Sequence, residues 1–407
     1  DVAALTTTAV AGLTTAQVAG LTTSQIQALS TAQIAAMTAN QFRAIQTQDL
    51  ARLSTDQIQA LTTAQADAMT STQLAALTTA QVAALQTNDL AAIKPTVITA
   101  LTTAQVAALS TAQVAALTTA QVNALETADL RTLSAEQIQA LGSAQLAALS
   151  SIQVPALKTE QVAAIEVVDL AALPTSILNK LTTAQVQALT SDQVAALTST
   201  QVMGLTTAQV AALETADLTA LGTAAFRQLS TAQIKALSSA QVAALTEDQL
   251  QSLTGAQLSA LDTADVAVLS TDQLAGLSTA QVAGLSTAHV AALTTNQMSS
   301  LSAAQIGALT SAQVVAMTTA QFANLTVDQV AAMGTAQVRA IQTSDLQAMT
   351  TAQIAALSSQ QVAALSSSQV PVLTTAQVAA IDPQDLAAMA TSELTKLSTA
   401  QVRALST

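Results

Sequence analysis

Leu117-Thr118-Thr119-Ala120-Gln121-Val122-Asn123-Ala124 is one copy of an eight-residue unit, which we name the octad. The octad begins again at every eighth residue from Leu5 to Leu405 without insertion or deletion, and every start is Leu, Ile or Met. Unbroken repetition of this kind is typical of stacked arrays, which have no fixed domain count. We therefore expect residues 1–407 to form a single continuous solenoid that is a segment of a longer array.

The octad carries two start signals for a helix. We number its positions 1 to 8, with the consensus Leu, Thr or Ser, Thr or Ser, Ala, Gln, Val, any residue, Ala. Ser or Thr at position 2 followed by Gln at position 5 is the pattern of a capping box, and apolar residues at positions 1 and 6 match a hydrophobic staple. Each octad therefore predicts a helix of about one and a half turns, with a corner at the Thr pair.

Two other architectures are disfavoured. In one long helix, a step of eight residues leaves a remainder of about 80°, so the apolar stripe would spiral around the rod. Pro155 and Pro371 at position 7 also oppose a continuous helix, whereas Pro95 and Pro383 at position 3 suit the first helical residue. A β-solenoid needs alternating polarity, which this chain lacks.

The interior is predicted to be narrow and apolar. Position 6 is apolar in every copy from Val2 to Val402, and all three Phe residues, Phe42, Phe226 and Phe322, occupy it. Aromatic residues make up only 1% of the chain, although apolar residues make up 51%. Positions 1 and 6 are therefore expected to point inward and to bury each octad against its neighbours.

A second, longer period marks the array. Position 5 is Asp in one group of octads, here named the Asp octads, at intervals of 40, 48 or 80 residues: Asp1, Asp49, Asp89, Asp129, Asp169, Asp217, Asp265, Asp345 and Asp385. Most of these octads also have Gln, Glu or Asp at position 2. The spacing predicts an all-α solenoid of very short helices with about five octads per superhelical turn, in which the Asp octads stack into a seam.

The seam suggests one candidate site. A ladder of carboxylates can bind Ca²⁺ or another cation, but one carboxylate per turn supplies few oxygens, and Asp near a helix start also caps the helix. We therefore expect no metal centre. Binding of a cation or a partner by the seam remains an alternative function, with Asp49, Asp89, Asp129, Asp169, Asp217, Asp265, Asp345 and Asp385 as the residues.

Basic residues lie near the Asp residues. They suggest either a docking stripe between neighbouring rods or local charge balance: Arg43, Arg52, Lys94, Arg131, Lys180, Arg227, Arg339 and Lys396.

Catalysis, cofactors and nucleic acid are disfavoured by composition. The chain has no Cys and one His, His289, so it offers no thiolate site, no His-based metal cluster and no catalytic triad. A formal net charge of −13 opposes nucleic-acid binding. Apolar residues never run long enough for a transmembrane helix. We expect no enzyme activity, no small-molecule substrate and no membrane insertion.

The unit L-[ST]-[ST]-A-Q-[VI]-x-A resembles the octapeptide-repeat regions of large secreted or cell-surface proteins of Gram-negative bacteria, which include adhesin-like and filament proteins. The resemblance covers the whole chain. It implies an extracellular or cell-surface location and a structural role, as an adhesin stalk or an extracellular fibre that self-associates into filaments. It supplies no catalytic or haem-binding residues.

Overall fold

The structure is a computed structural model in which residues 2–405 are described. Contacts between residues divide the chain into two compact units, unit 1 (Asp1–Leu205) and unit 2 (Thr206–Thr407). The described residues form short helices and no strands, and no helix exceeds six residues. The predicted all-α solenoid of one short helix per octad is therefore confirmed.

Unit 1 consists of one 3₁₀ turn, η1, and the helices α1 to α25. Their bounds are η1 (Val2–Ala4), α1 (Thr7–Ala11), α2 (Thr15–Ala19), α3 (Thr23–Gln27), α4 (Thr31–Ala36), α5 (Ala39–Arg43), α6 (Thr47–Leu50), α7 (Thr55–Gln59), α8 (Thr63–Asp67), α9 (Ser71–Ala76), α10 (Thr79–Ala84), α11 (Thr87–Ala92), α12 (Pro95–Ile98), α13 (Thr103–Ala107), α14 (Thr111–Ala116), α15 (Thr119–Ala124), α16 (Thr127–Leu130), α17 (Ala135–Gln139), α18 (Ser143–Ala147), α19 (Gln153–Ala156), α20 (Thr159–Ala163), α21 (Val167–Ala172), α22 (Thr175–Leu178), α23 (Thr183–Gln187), α24 (Ser191–Ala195) and α25 (Ser199–Gly204).

Unit 2 continues the same pattern with helices α26 to α49 and a second 3₁₀ turn, η2. Their bounds are α26 (Thr207–Ala212), α27 (Thr215–Ala220), α28 (Thr223–Phe226), α29 (Thr231–Lys235), α30 (Ser239–Ala244), α31 (Glu247–Ser252), α32 (Gly255–Leu258), α33 (Thr263–Ala267), α34 (Thr271–Ala275), α35 (Thr279–Ala283), α36 (Thr287–Ala292), α37 (Thr295–Ser300), α38 (Ala303–Gly307), α39 (Ser311–Ala316), α40 (Thr319–Ala323), α41 (Val327–Ala331), α42 (Thr335–Ala340), α43 (Thr343–Ala348), α44 (Thr351–Ala355), α45 (Ser359–Ala363), η2 (Val370–Val372), α46 (Thr375–Ala379), α47 (Pro383–Ala387), α48 (Thr391–Leu394) and α49 (Thr399–Ala404).

The corner between helices is built from two extended residues. In the octad quoted first, Leu117 has φ −58° and ψ 135°, and Thr118 has φ −69° and ψ 156°. No described residue has a positive φ. Because these conformations are open to any L-residue, the corners need no glycine. This explains how a chain of 407 residues turns at every octad with only 10 Gly.

Proline at position 3 begins a helix as predicted, and proline at position 7 shortens the local helix. Pro95 and Pro383 are the first residues of α12 and α47. Pro155 lies in α19, which has only four residues, and Pro371 lies in the 3₁₀ turn η2. Proline has no backbone N–H, so at position 7 it cannot donate to the carbonyl one turn before, and the local helix is shortened.

The turn of the coil is smaller than the Asp spacing suggested. In both units helices pack on partners three octads away, as α1 does on α4 and α30 on α33. Inter-turn hydrogen bonds span 25 to 31 residues, from Asn123 to Ala148 and from Gln41 to Val10, for example. The turn therefore contains between three and four octads, and the prediction of about five was wrong. The number of octads per turn follows from the extended corner between successive helices. It does not follow from the interval between Asp octads.

Positions 1 and 6 form the interior, as predicted. Phe42, Phe226 and Phe322 at position 6 have no exposed surface, and Leu117 at position 1 is 4% exposed. Positions 2, 3, 4 and 7 face outward along most of both units. A narrow core bounded by three to four helices per turn accommodates Leu, Val and Ile with few rings.

We expect Phe322→Ala to lower the free energy of unfolding by about 3–5 kcal/mol, because the ring is fully buried and its removal leaves a cavity. Chemical denaturation followed by helical circular dichroism measures the change. Val315→Ala is the control, because that side chain is 45% exposed and should cost under about 0.5 kcal/mol. Equal effects of the two substitutions would contradict the assignment of position 6 to the core.

Candidate functional site

The position-5 Gln joins successive turns of the coil. Gln121 accepts a hydrogen bond at Oε1 from the backbone N–H of Thr118 (2.8 Å), and Thr118 Oγ1 accepts one from the Gln121 N–H (3.2 Å). These two bonds are the predicted capping box. Gln121 Nε2 then donates to the carbonyl oxygens of Leu90 (2.8 Å) and Ile93 (2.6 Å) in the preceding turn. One buried amide therefore caps its own helix and holds another.

The same carbonyls are used along both units. Gln41 Nε2, for example, donates to the carbonyls of Val10 (3.0 Å), Ala11 (3.2 Å) and Leu13 (2.6 Å), which end the helix three to four octads earlier. The carbonyls at a helix end have no partner within the helix, so the Gln amide supplies one. A capping box accepts Glu as readily as Gln. The near absence of Glu at position 5 was the sequence signal for a required donor.

His289 takes the place of a Gln. Its Nδ1 lies 3.4 Å from the backbone N of Ser286, and its Nε2 lies 2.8 Å from the carbonyl oxygen of Leu261. The carbonyl requires a donor, so these contacts fit the neutral ring with its proton on Nε2. The only His in the chain is buried and reproduces both roles of the Gln amide.

The Asp octads replace the amide with a group that only accepts. Several of the carboxylates take a hydrogen bond from the position-3 hydroxyl three octads before. Examples are Asp49 with Thr23 (2.5 Å), Asp265 with Ser239 (2.7 Å), Asp345 with Thr319 (2.6 Å) and Asp385 with Ser359 (2.5 Å). Asp265 also accepts the backbone N–H of Asp262 (3.0 Å). The direction of the inter-turn hydrogen bond is therefore reversed in these octads.

In three Asp octads position 2 supplies the missing donor. The position-2 Gln reaches the position-7 carbonyl that a position-5 Gln would otherwise contact. These bonds run from Gln46 to Ala19 (2.9 Å), from Gln86 to Gln59 (2.6 Å) and from Gln342 to Val315 (2.7 Å). The exchange of Gln between positions 5 and 2 preserves one amide bond between turns.

The predicted seam depended on a turn of five octads. In unit 1, α6 with Asp49 packs on α3 and α9, and α11 with Asp89 packs on α8 and α14. None of these four partners is an Asp octad. In unit 2, α27 with Asp217 and α33 with Asp265 both pack on α30.

Most of the Asp carboxylates are buried. Asp49, Asp89, Asp129, Asp217, Asp265 and Asp345 are at most 4% exposed, Asp169 and Asp385 are half-buried, and Asp1 lies outside the described residues. The described residues contain no group of three or more His, Cys, Asp or Glu side chains arranged to hold a metal ion. Cation binding by the Asp octads stays a prediction.

Burial changes the titration of two of these carboxyls. Burial raises the pKa of Asp89 above its ordinary value of 3.8. The pKa of Asp129 is raised mainly by burial and further by the charge of Glu126, against a hydrogen bond with the Glu126 backbone. Both groups therefore favour the neutral acid more in the folded chain than in the unfolded chain.

In the described part of the chain, the basic residues near the Asp octads form no ion pair with Asp49, Asp89, Asp129, Asp169, Asp265, Asp345 or Asp385. Among the described residues of that set, Lys94 forms an ion pair, with Asp67 (3.5 Å), and both side chains are more than half exposed. Arg131 Nη1 donates to the Ala156 carbonyl (3.3 Å). Local charge balance therefore explains Lys94 only, and docking between rods stays a prediction.

A protein-family model described as the ALTTAQ repeat matches most of the chain. The matched residues are 1–31, 42–79, 82–119, 122–159, 162–199, 210–247, 258–295, 273–303, 291–319, 338–375 and 378–407. No curated protein matches the chain. Within the described residues, no helix is long and apolar enough to span a bilayer.

We expect Gln353→Glu to lower the free energy of unfolding at pH 7 by roughly 3 kcal/mol. The carboxylate keeps the acceptor for Thr350 but cannot donate to the carbonyls of Phe322 and Leu325, which the Gln amide contacts at 3.0 and 2.7 Å. Gln360→Glu is the matched control, because position 4 is exposed. Denaturation at pH 7 compares the two variants. Equal stabilities would show that the inter-turn bond contributes little.

Asp89→Asn should stabilise the chain at pH 7 and have less effect at pH 3. Because the pKa of Asp89 is raised in the folded chain, the folded state binds more protons than the unfolded state. The stability that Asp89 contributes is therefore fully present below pH 3.8 and is lost as the pH rises through the folded pKa. The neutral amide removes this loss. Denaturation at both pH values measures the difference.

Glu136→Gln provides a control of opposite sign. Its side chain is exposed, and a hydrogen bond with the Ser134 side chain lowers its pKa below 4.5. The stability from Glu136 is present above 4.5 and is lost as pH falls through the folded pKa. If both variants shift stability in the same direction between pH 3 and pH 7, the assignment of Asp89 is wrong.

Proposed function

The chain belongs to the ALTTAQ repeat family, and we propose that it is a structural repeat protein that forms part of a rod or filament on or outside a bacterial cell. The observation that carries the proposal is the inter-turn Gln bond. It recurs octad after octad in each unit, for example at Gln105, Gln113 and Gln121. A spacer under tension requires regular cohesion between its turns.

The bonds act together with the apolar core. Separating two turns would break several buried amide bonds and expose the position-6 side chains at the same step, such as Val106, Val114 and Val122. A buried donor or acceptor left unsatisfied costs about 1–3 kcal/mol. The repetition of this cost along each unit supports a mechanical role.

The surface composition supports self-association. Charged residues make up 9% of the chain, and the outward positions 2, 3 and 4 are mostly Thr, Ser and Ala. A surface with few charges repels a second copy of the chain less than a strongly charged surface does. The likeness to octapeptide regions of secreted and surface proteins supports an extracellular location, as an adhesin stalk or fibre.

We assign no reaction to the chain. Its only His is held between two backbone groups, and its position-2 hydroxyls, such as Thr118, are occupied as helix caps. A binding module is the alternative function, and the observation that favours it is a buried carboxylate such as that of Asp345, which forms no ion pair with any described residue.

The purified chain should form filaments or lateral bundles as concentration rises, seen by negative-stain electron microscopy and by sedimentation velocity. Thr111→Lys with Thr279→Lys places charge on two exposed position-3 sites and should reduce assembly about tenfold. The matched control is Thr111→Ser with Thr279→Ser, which keeps the hydroxyls. A wild-type chain that stays monomeric at all concentrations would argue against the filament.

A further inference from the structure

Asp345 has a buried oxygen atom without a partner. Its side chain is 3% exposed, and Oδ1 accepts hydrogen bonds from Thr319 Oγ1 (2.6 Å) and Ser344 Oγ (3.3 Å). Oδ2 is buried and has no hydrogen-bond partner. Buried polar atoms are almost always paired, so an oxygen without a partner calls for an explanation such as a bound ion or water.

The Met317 carbonyl oxygen is a second acceptor without a donor in the described part of the chain. In the next octad, Gln353 Nε2 donates to the carbonyl of Leu325, 28 residues earlier. The corresponding carbonyl for Asp345 is that of Met317, whose side chain is 3% exposed. Asp is one methylene shorter than Gln and has no amide N–H, and no hydrogen-bond donor in the described residues contacts the Met317 carbonyl. Asp345 Oδ2 and the Met317 carbonyl oxygen are therefore both acceptors without a donor in the described residues.

The carboxylate also has no counter-charge. Asp345 forms no ion pair with any described residue. Its helix α43 packs on α40 and η2, and neither of these elements contains a charged residue. Gln342 in the same octad directs its amide to Val315. A buried charge is normally paired or bound to a metal ion. Water could bridge the two oxygens but would leave the charge uncompensated.

We propose that Asp345 Oδ2 and the Met317 carbonyl oxygen form a site for one small monovalent cation such as Na⁺ or K⁺. An all-oxygen set suits hard cations, and one carboxylate balances a single positive charge. Ca²⁺ takes six to eight oxygen ligands, usually from several carboxylates, and no second acid is present on α40 or η2. The inference goes beyond the structural role, and either can fail without the other.

The test compares thermal unfolding of the full chain at pH 7 in NaCl, KCl and choline chloride at equal ionic strength. Choline carries its charge on a nitrogen shielded by four carbon substituents, so it cannot be coordinated by the two oxygens as a bare alkali ion is. The wild-type Tm should rise saturably, on the order of 2–4 °C, in NaCl or KCl over choline chloride. Asp345→Gln restores the usual amide donor and removes the charge, so it should fold and lose the salt-specific shift. The control Asp328→Asn removes an exposed acid and should keep the shift.

Three results would overturn the proposal. The first is an equal wild-type Tm in all three salts. The second is a salt-specific shift that persists in Asp345→Gln, which would place the cation elsewhere. The third is a wild-type chain that ignores the salt but gains stability over Asp345→Gln as the pH is lowered, which would make a proton the counter-cation.

Discussion

The fold depends on one buried amide in each octad. A Gln at position 5 accepts a hydrogen bond from the backbone at the start of its own helix and donates hydrogen bonds to carbonyls at the end of a helix one turn earlier, as Gln65 does to Ile34 and Met37. A helix of six residues or fewer leaves most of its backbone groups without partners inside the helix. The Gln amide satisfies some of these groups at both ends of neighbouring helices. Short helices are therefore stable here only as members of a stack.

The amide also explains which substitutions the array contains. His289 is accepted at position 5 because its ring offers one acceptor and one donor in the same directions. In several octads a hydroxyl three octads earlier donates to the Asp at position 5, as Thr23 does to Asp49. Gln at position 2 then restores a donor, as Gln46 does. The Asp octads are thus a second way of joining turns, with the hydrogen bonds rearranged between the same backbone segments.

Local chemistry made much of the fold predictable. The helix in each octad, its Ser or Thr cap, the interior at positions 1 and 6, and the place of Pro95 and Pro383 all follow from contacts within eight residues. The capping half of the Gln role was predictable for the same reason. The interval between Asp residues was a misleading guide to the length of a turn. It gives the positions at which Asp replaces Gln in the inter-turn hydrogen bonds, and these positions do not coincide with one superhelical turn.

The sequence by itself determined one capped helix per octad and an apolar interior. The tertiary structure decided the number of octads per turn, the partner carbonyls of each Gln and the hydroxyl partners of the Asp residues. These features join residues 25 to 31 positions apart. Their pairing is set by the angle that two extended residues impose at each corner, summed over a turn. A small change in that angle would change the partner helix while leaving every local signal the same.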